Sequence, residues 1–351
     1  MKAPRTSLLV ACLGLGTALA FGGGQAQAAG AVGVAGAPAA AASPGLSAFV
    51  TPDGALRIRS RGHASLPGQP EIDPYFATQA LIIERRAGNR QADALVVGWL
   101  RWLLPRQGAD GRIARFCGAD GAWRACAPAD ADDAMAASLI ELLARSRDLL
   151  PAAMHASADV ADRRAHALLR QLRRPDGLYR AHAGEGPAYL MDNAEVHSAL
   201  LAAGQRQEAA ALQRAMEHTF HHGPGLWSPA DPAYADGPAF YPHAVAPTYR
   251  WREGLIDAPA LQAEAAAWLA LYGRAWLERT ADPYPWGIVA WAMHTTVPRA
   301  AGCWRLRARA VWPTAYWTVL DQAVEDALAL HGIVPAVAPE LCPATGRGEG
   351  A

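Results

Sequence analysis

Lysine is almost missing from this 351-residue chain: Lys2 is the only one, and the basic side chains are otherwise arginine. Without lysine beyond the first residues there is no Schiff-base or pyridoxal chemistry and no phosphate-loop lysine. GxSxG, HExxH, GxGxxG and CxxC are absent as well, which removes the common serine-hydrolase, zinc-protease, dinucleotide and thiol-redox signatures. Charge of one sign is also lacking. Lys+Arg and Asp+Glu both number 32, so nothing directs the chain to nucleic acid or to an anionic membrane surface. No stretch after the first residues has the long uncharged apolar run of a spanning helix.

The amino terminus, MKAPRTSLLVACLGLGTALAFGGGQAQA, has a basic start, an apolar run and a small-residue site at Ala26-Gln27-Ala28. It reads as a signal peptide over residues 1–28, which predicts an exported, periplasmic or extracellular protein. Leu9-Val10-Ala11-Cys12 resembles a lipid-attachment box, but the apolar run before Cys12 is too short for one. Cleavage would leave four cysteines, Cys117, Cys126, Cys303 and Cys342, and an even count in an oxidising compartment favours disulfides. Cys117–Cys126 would close a short loop and leave Cys303–Cys342 to tie the tail; three pairings are open at this stage.

Residues 29–45 form an Ala/Gly/Pro leader of low complexity. Residues 46–70 carry a turn sequence, Thr51-Pro-Asp-Gly54, between apolar residues, and predict a small β-hairpin. From 71 to 334 the pattern is helical and repeats, and residues 335–351 form an irregular tail. Six helix starts, at Glu71, Ala129, Ala188, Ala239, Asp282 and Ala310, are rich in acidic and aromatic side chains, and apolar helices follow them. Four intervening helices, within 92–104, 159–172, 208–220 and 261–279, carry charge on one side only, as a solvated outer layer would. Two concentric rings of helical hairpins satisfy both patterns, so the predicted fold is an all-α (α/α)6 toroid with one outer helix missing or displaced.

In such a ring the inner-helix starts converge, and here they bring carboxylates and flat aromatic faces with almost no cations. That composition suits carbohydrate: rings stack on sugar faces, and paired carboxyl groups supply the acid and base of glycoside hydrolysis. Asp132, with Asp192 or Asp73 facing it from another helix, is the candidate catalytic set. Tyr75, Asp133, Asn193, Glu195, Tyr241, His243, Trp286 and Trp317 are the candidate substrate contacts. The aspartates of Ala129-Asp-Ala-Asp-Asp-Ala134 also read as helix caps. His197 is expected to turn from Glu195 into packing. His218, His221 and His222 have i, i+4 spacing but no carboxylate or cysteine arranged with them, so neither metal nor cofactor is expected.

The repeating hairpins with acidic, aromatic inner starts resemble the six-hairpin glycosidase superfamily. Cys126-Ala-Pro-Ala-Asp130-Ala-Asp132-Asp133-Ala-Met135 resembles the aspartate-rich helix entrance of glycoside hydrolase family 8. The resemblance implies inversion by a base–acid carboxylate pair, with the acid at the first inner helix, where Glu71 or Asp73 stands. The expected function is hydrolysis of a poly- or oligosaccharide. Two alternatives remain: a non-catalytic envelope protein that binds glycan or assists exopolysaccharide assembly, and a polysaccharide lyase using His243 and Tyr241. A lyase would need cations for uronate, for which Arg115, Arg180 and Arg250 are available. The oligomeric state is not readable.

Overall fold

The computed structural model describes residues 43, 45–184, 186–223, 225–233, 239–312, 314–337 and 342. The signal peptide and most of the leader and the tail lie outside them.

Six inner helices follow one another round a ring: α1 (Pro74–Ala87), α3 (Asp132–Ser146), α5 (Leu190–Ala202), α7 (Ala246–Arg252), α9 (Gly287–Met293) and α11 (Val319–Leu330). Each packs on the next, and α11 packs on α1, which closes the ring. Outer helices α2 (Asp93–Leu103), α4 (Ala152–Leu172), α6 (Arg206–Phe220), α8 (Ala258–Glu278) and α10 (Pro298–Ala308) return the chain between them. The predicted toroid is therefore present. Among the described residues the outer position without a helix is the one after α11, while α10 fills a position for which the sequence pattern offered no outer helix. Inner and outer roles show in burial: every residue of α9 and all but Met191, Leu201 and Ala202 of α5 are buried. On α4 and α6 only one face is buried.

Local signals set the boundaries. Asp73 caps α1, its side chain accepting from the Tyr75 N–H, with Pro74 in the first turn; Gly88 ends the helix in the left-handed region. Thr318 and Asp321 form a reciprocal capping box on α11. At α3 the expectation of an aspartate cap is not met. The cap position is Ala131, the Asp132 N–H donates to the Ala181 carbonyl at 2.7 Å, and Asp132 and Asp133 occupy the first turn. There their charge still favours the positive end of the helix dipole.

Around residues 46–58 the structure departs from a two-stranded hairpin. Leu46–Phe49 is a 3-10 turn, and one antiparallel bridge, Val50 to Leu56, spans the Thr51–Gly54 turn. A true hairpin forms instead between β1 (Arg115–Cys117) and β2 (Arg124–Ala127), in the loop before α3. Cys117 bonds to Cys126 across it, and Cys303 bonds to Cys342. No helix among the described residues is long and apolar enough to cross a membrane.

Tryptophans fill the inner–outer seam: Trp99, Trp276, Trp304 and Trp317 are almost wholly buried. Gly287, first residue of α9, sits so close to this layer that an added Cβ would lie 2.7 Å from Trp304 Cζ2 and 3.1 Å from Asp321 Oδ1. Gly287→Ala is therefore expected to destabilise the fold by about 1–3 kcal/mol through overpacking. A thermal midpoint equal to that of the unsubstituted protein would contradict the packing described.

Candidate active site

At the N-terminal end of the inner ring the chain gathers four aspartates from three helix starts. Asp73 precedes α1, Asp130 precedes α3, Asp133 lies in the first turn of α3, and Asp192 lies in the first turn of α5. Asp133 and Asp192 face each other across the α3–α5 seam. Asp133 Oδ1 accepts from the Ala134 N–H at 2.8 Å, and a hydrogen bond between the two carboxyls requires that one of them keep its proton. Burial, then the charge of Asp133, with Glu195 and Asp130 adding, raises the Asp192 carboxyl well above the usual range. Burial raises Asp133 too. One proton shared by two sequestered carboxyls is the stable state of this pair at neutral pH.

Asp73 is 6 % exposed, and burial pushes it up to about 6 against the opposing pull of Arg115 and the Tyr75 N–H. The charge of Asp130 bears on both Asp73 and Asp192. Asp130 is also the exposed member of the four, with Arg115 Nη1 3.5 Å away.

Asp132 points elsewhere. Its Oδ2 accepts from Arg112 Nε at 2.9 Å and lies 3.4 Å from His182 Nδ1, tying the loops before α3 and α5 to the α3 start. Burial works against its ionisation, but the bonds from His182 and Arg112 outweigh burial and hold the carboxyl below the usual range. The residue opposite Asp192 is thus Asp133, not Asp132. Glu71, the other acid suggested at the first inner helix, is bound to Arg57 at 2.8 Å.

The aromatic candidates divide. Trp286 and Tyr241 are half-buried and stack face to face at 4.9 Å, and Tyr284 meets Trp286 edge-on at 6.3 Å. Tyr241 Oη reaches to Met191 Sδ at 4.0 Å, in the first turn of α5. Trp317 is core: its indole N–H donates to Gln322, and its ring stacks on Trp304. Asn193 is equally out of reach, because its side chain clamps the backbone of Tyr179 and Tyr189. His243 Nδ1 accepts from the Ala239 N–H at 3.3 Å, within its own loop.

Glu195 lies deeper, 2 % exposed, accepting from Tyr75 Oη at 2.8 Å and from Arg252 Nη2 at 3.0 Å. It opens a buried ionic network. Arg252 also contacts Glu253 and Gln79, Glu253 binds Arg86, and Arg86 reaches Glu141 on α3 and Ser198 on α5. Burial pushes Glu195 up to about 8 despite Arg252 and Tyr75; in Glu253, Arg252 and Arg86 overcome burial and bring it to about 2. Glu195 and Asn193 are therefore supports rather than hydroxyl contacts. His197 is buried and its imidazole is pushed down by desolvation, in keeping with a packing role.

The arginines that a lyase would need are engaged. Arg115 is bound to the Pro128 carbonyl and lies near Asp130, Arg180 donates to the Gly184 carbonyl, and Arg250 pairs with Glu264 and lies over the Trp227 ring. Of the HTFHH histidines, His221 stacks on Trp227 at 4.7 Å. Among the described residues no group of three or more His, Cys, Asp or Glu is placed to hold a metal.

The raised carboxyls give the fold a pH dependence. Burial lifts Asp73 and Asp326 to about 6, and Glu84 and Glu195 to about 8, so between pH 4 and 8 the folded state holds more protons than the unfolded chain. Unfolding free energy must then fall as pH rises through that window. The depressed Asp132 and Glu253 act oppositely, and their contribution disappears only as pH drops below about 4. Urea midpoints are expected to decrease in the order pH 4.5, 6 and 8; a flat or rising series would mean that these carboxyls are solvated.

A cavity of about 390 Å³ lies at the opposite end of the ring, lined by Pro298, Arg299, Gly302 and residues 332–337. Its lining is mainly apolar and holds no carboxylate.

No protein-family model and no curated protein sequence matches the chain. Solved structures do. An α-amylase from Clostridium perfringens superposes with a TM-score of 0.51 at 9 % identity, over 81 % of this chain and 94 % of that one. A double mutant of Rex8A from Paenibacillus barcinonensis gives 0.49 at 12 % identity, over 78 % and 88 %. Endoglucanase Cel10, a family 8 glycosyl hydrolase from Klebsiella pneumoniae, gives 0.46 at 15 % identity, over 81 % and 97 %. At such identities the likeness concerns architecture alone: the chain has an (α/α)6 toroid.

Proposed function

We propose that the protein is an exported glycoside hydrolase that cleaves a poly- or oligosaccharide at the N-terminal mouth of its inner ring. The observation that carries this reading is the aspartate cluster at the inner-helix starts, where Asp192 keeps a proton and Asp130 is exposed, with the Tyr241–Trp286 stack reaching Met191 on the same helix start as Asp192. Hydrolysis needs one carboxyl protonated and another ionised. Asp192 is the proton donor, with Asp133 as the partner that raises it, and Asp73 is the second group able to hold a proton near neutrality. Asp130 is the base, or orients the attacking water. Asp132 takes a positioning role, fixing the mouth loops through Arg112 and His182. Tyr241, Trp286 and Tyr75 border the space where a sugar would lie.

One observation favours a second reading, a non-catalytic glycan-binding or assembly protein. Asp73, Asp133 and Asp192 are all at most 6 % exposed, so a substrate must displace side chains to reach them. Reducing-end release from neutral, acidic and amino-sugar polysaccharides separates the two. Release without an ultraviolet-absorbing product supports hydrolysis. Glycan binding with no release across the set would sink the enzyme reading, and an unsaturated product would replace it with a lyase.

A further inference from the structure

At the other end of the ring, away from the aspartates, two neighbouring inner helices both finish on a histidine. His294 is the C-cap of α9 and His331 the C-cap of α11, and their rings meet with His294 Nε2 3.1 Å from His331 Nδ1. His294 stacks on Trp291 at 4.3 Å, and its Nδ1 lies 2.6 Å from the Trp291 carbonyl. A carbonyl can only accept, so Nδ1 carries the hydrogen and Nε2 presents its lone pair outward. His331 is exposed.

We infer that His294 and His331 form a binding site for a borderline divalent transition ion such as Cu²⁺, Ni²⁺ or Zn²⁺, independent of the carbohydrate site. Three features of the pair support it. With metal–nitrogen bonds near 2.0–2.1 Å, two imidazoles on one ion have nitrogens about 2.9 Å apart at a right angle and about 3.3 Å apart in a tetrahedron. The observed 3.1 Å falls between, so an ion can enter with a small swivel of the exposed ring. The backbone carbonyl on His294 Nδ1 is the outer contact that fixes a ligand's tautomer and raises its basicity. The carbonyl ends of two helices converge there, and their negative partial charge favours a cation. His331 Nδ1 gives up its hydrogen and the ring carries it on Nε2 instead, so both ligands are neutral imidazoles. Water supplies the remaining positions. Bound metal would cross-link α9 to α11, beside the Arg299–Gly332 cavity.

The decisive experiment titrates Cu²⁺ into untagged full-length protein and reads electron paramagnetic resonance for the number of coordinated nitrogens. One saturable site with two imidazole nitrogens is expected. His331→Gln, an exposed change that leaves the fold intact, should weaken it at least about tenfold. His294→Gln should do the same. A His221→Gln, His222→Gln double variant controls for the other histidine cluster and should bind like the unsubstituted protein. Absence of saturable binding, or binding that survives His331→Gln, overturns the site, as does binding lost in the double variant. Glycan cleavage plays no part in the readout, so the two proposals fail separately.

Discussion

Asp192→Asn is expected to lower reducing-end release by at least about 10²-fold, the usual contribution of a positioned proton donor, without lowering the urea midpoint. The two halves of that expectation come from one arrangement. Asp192 faces Asp133 inside the α3–α5 seam, and burial together with the charge of Asp133 favours keeping a proton on Asp192. An amide has the same shape, donates N–H to Asp133 as the acid donates O–H, and carries no charge at any pH. The fold therefore loses no partner and is relieved of like-charge repulsion above neutrality, while chemistry loses its transferable proton. A structural carboxylate would give the reverse: activity tracking the folded fraction. Asp130→Asn should also depress turnover in a stable protein, whereas Asp132→Asn, which loosens the Arg112 and His182 contacts, should raise KM more than it lowers kcat. Full activity in Asp192→Asn would remove the acid from this assignment.

The largest loss of stability is expected at Arg252. Its side chain is 2 % exposed and bonds to Glu195, Glu253 and Gln79 while lying 4.5 Å over the Tyr249 ring. Arg252→Leu would leave Glu253 with Arg86 as its one remaining ionic partner and Glu195 with the Tyr75 hydroxyl. Breaking a buried ion pair from one side costs about 3–5 kcal/mol, because the stranded charge cannot return to water. Glu195, already near 8, can take up a proton; Glu253, brought down to about 2 by two arginines, cannot do so cheaply. The loss should thus be larger at pH 8 than at pH 5. Urea unfolding with both disulfides intact measures it, and a cost below about 1 kcal/mol would show that water reaches the network.

The ring itself was legible in the sequence because it is written in repetition: apolar helices with polar-aromatic starts, alternating with helices charged on one face. The starts read at Glu71, Ala129 and Ala188 lie within three residues of the observed helices, whereas those at Ala239, Asp282 and Ala310 lie five to nine residues before α7, α9 and α11. The site was legible as a cluster but not in its assignments. Asp132 and Asp133 lie about 100° apart on a helix, so which one meets Asp192 depends on where the helix begins. That point is fixed by Ala131 and by the bond from Asp132 N–H to Ala181, a residue of another loop. Asp130, among the helix-start residues but left out of the candidate pair, gains importance only because Asp73 comes beside it. Trp317 looked like a sugar platform because it stands at an inner-helix start and not inside an outer helix, yet the turn before α11 folds it onto Trp304. Asn193 and Glu195 lie within two turns of the mouth, but serve backbone and network. Arg86 and Glu141 gave no signal, since paired charges on inner helices look like any solvated face until both are known to be buried.

The closed seam between α1 and α11 bears on how this mouth could work. An open stack of hairpins can splay at its free ends, but a hoop cannot: each inner helix is wedged by a neighbour on either side, like a stone in a keystone arch. Widening one gap compresses the others, so the angles between Asp73, Asp133 and Asp192 are set by the whole circle rather than by their own loops. Accommodation of a bound chain then falls to the segments that lead into the helices, where Tyr241, Trp286 and His182 stand, and the aspartates keep their spacing throughout.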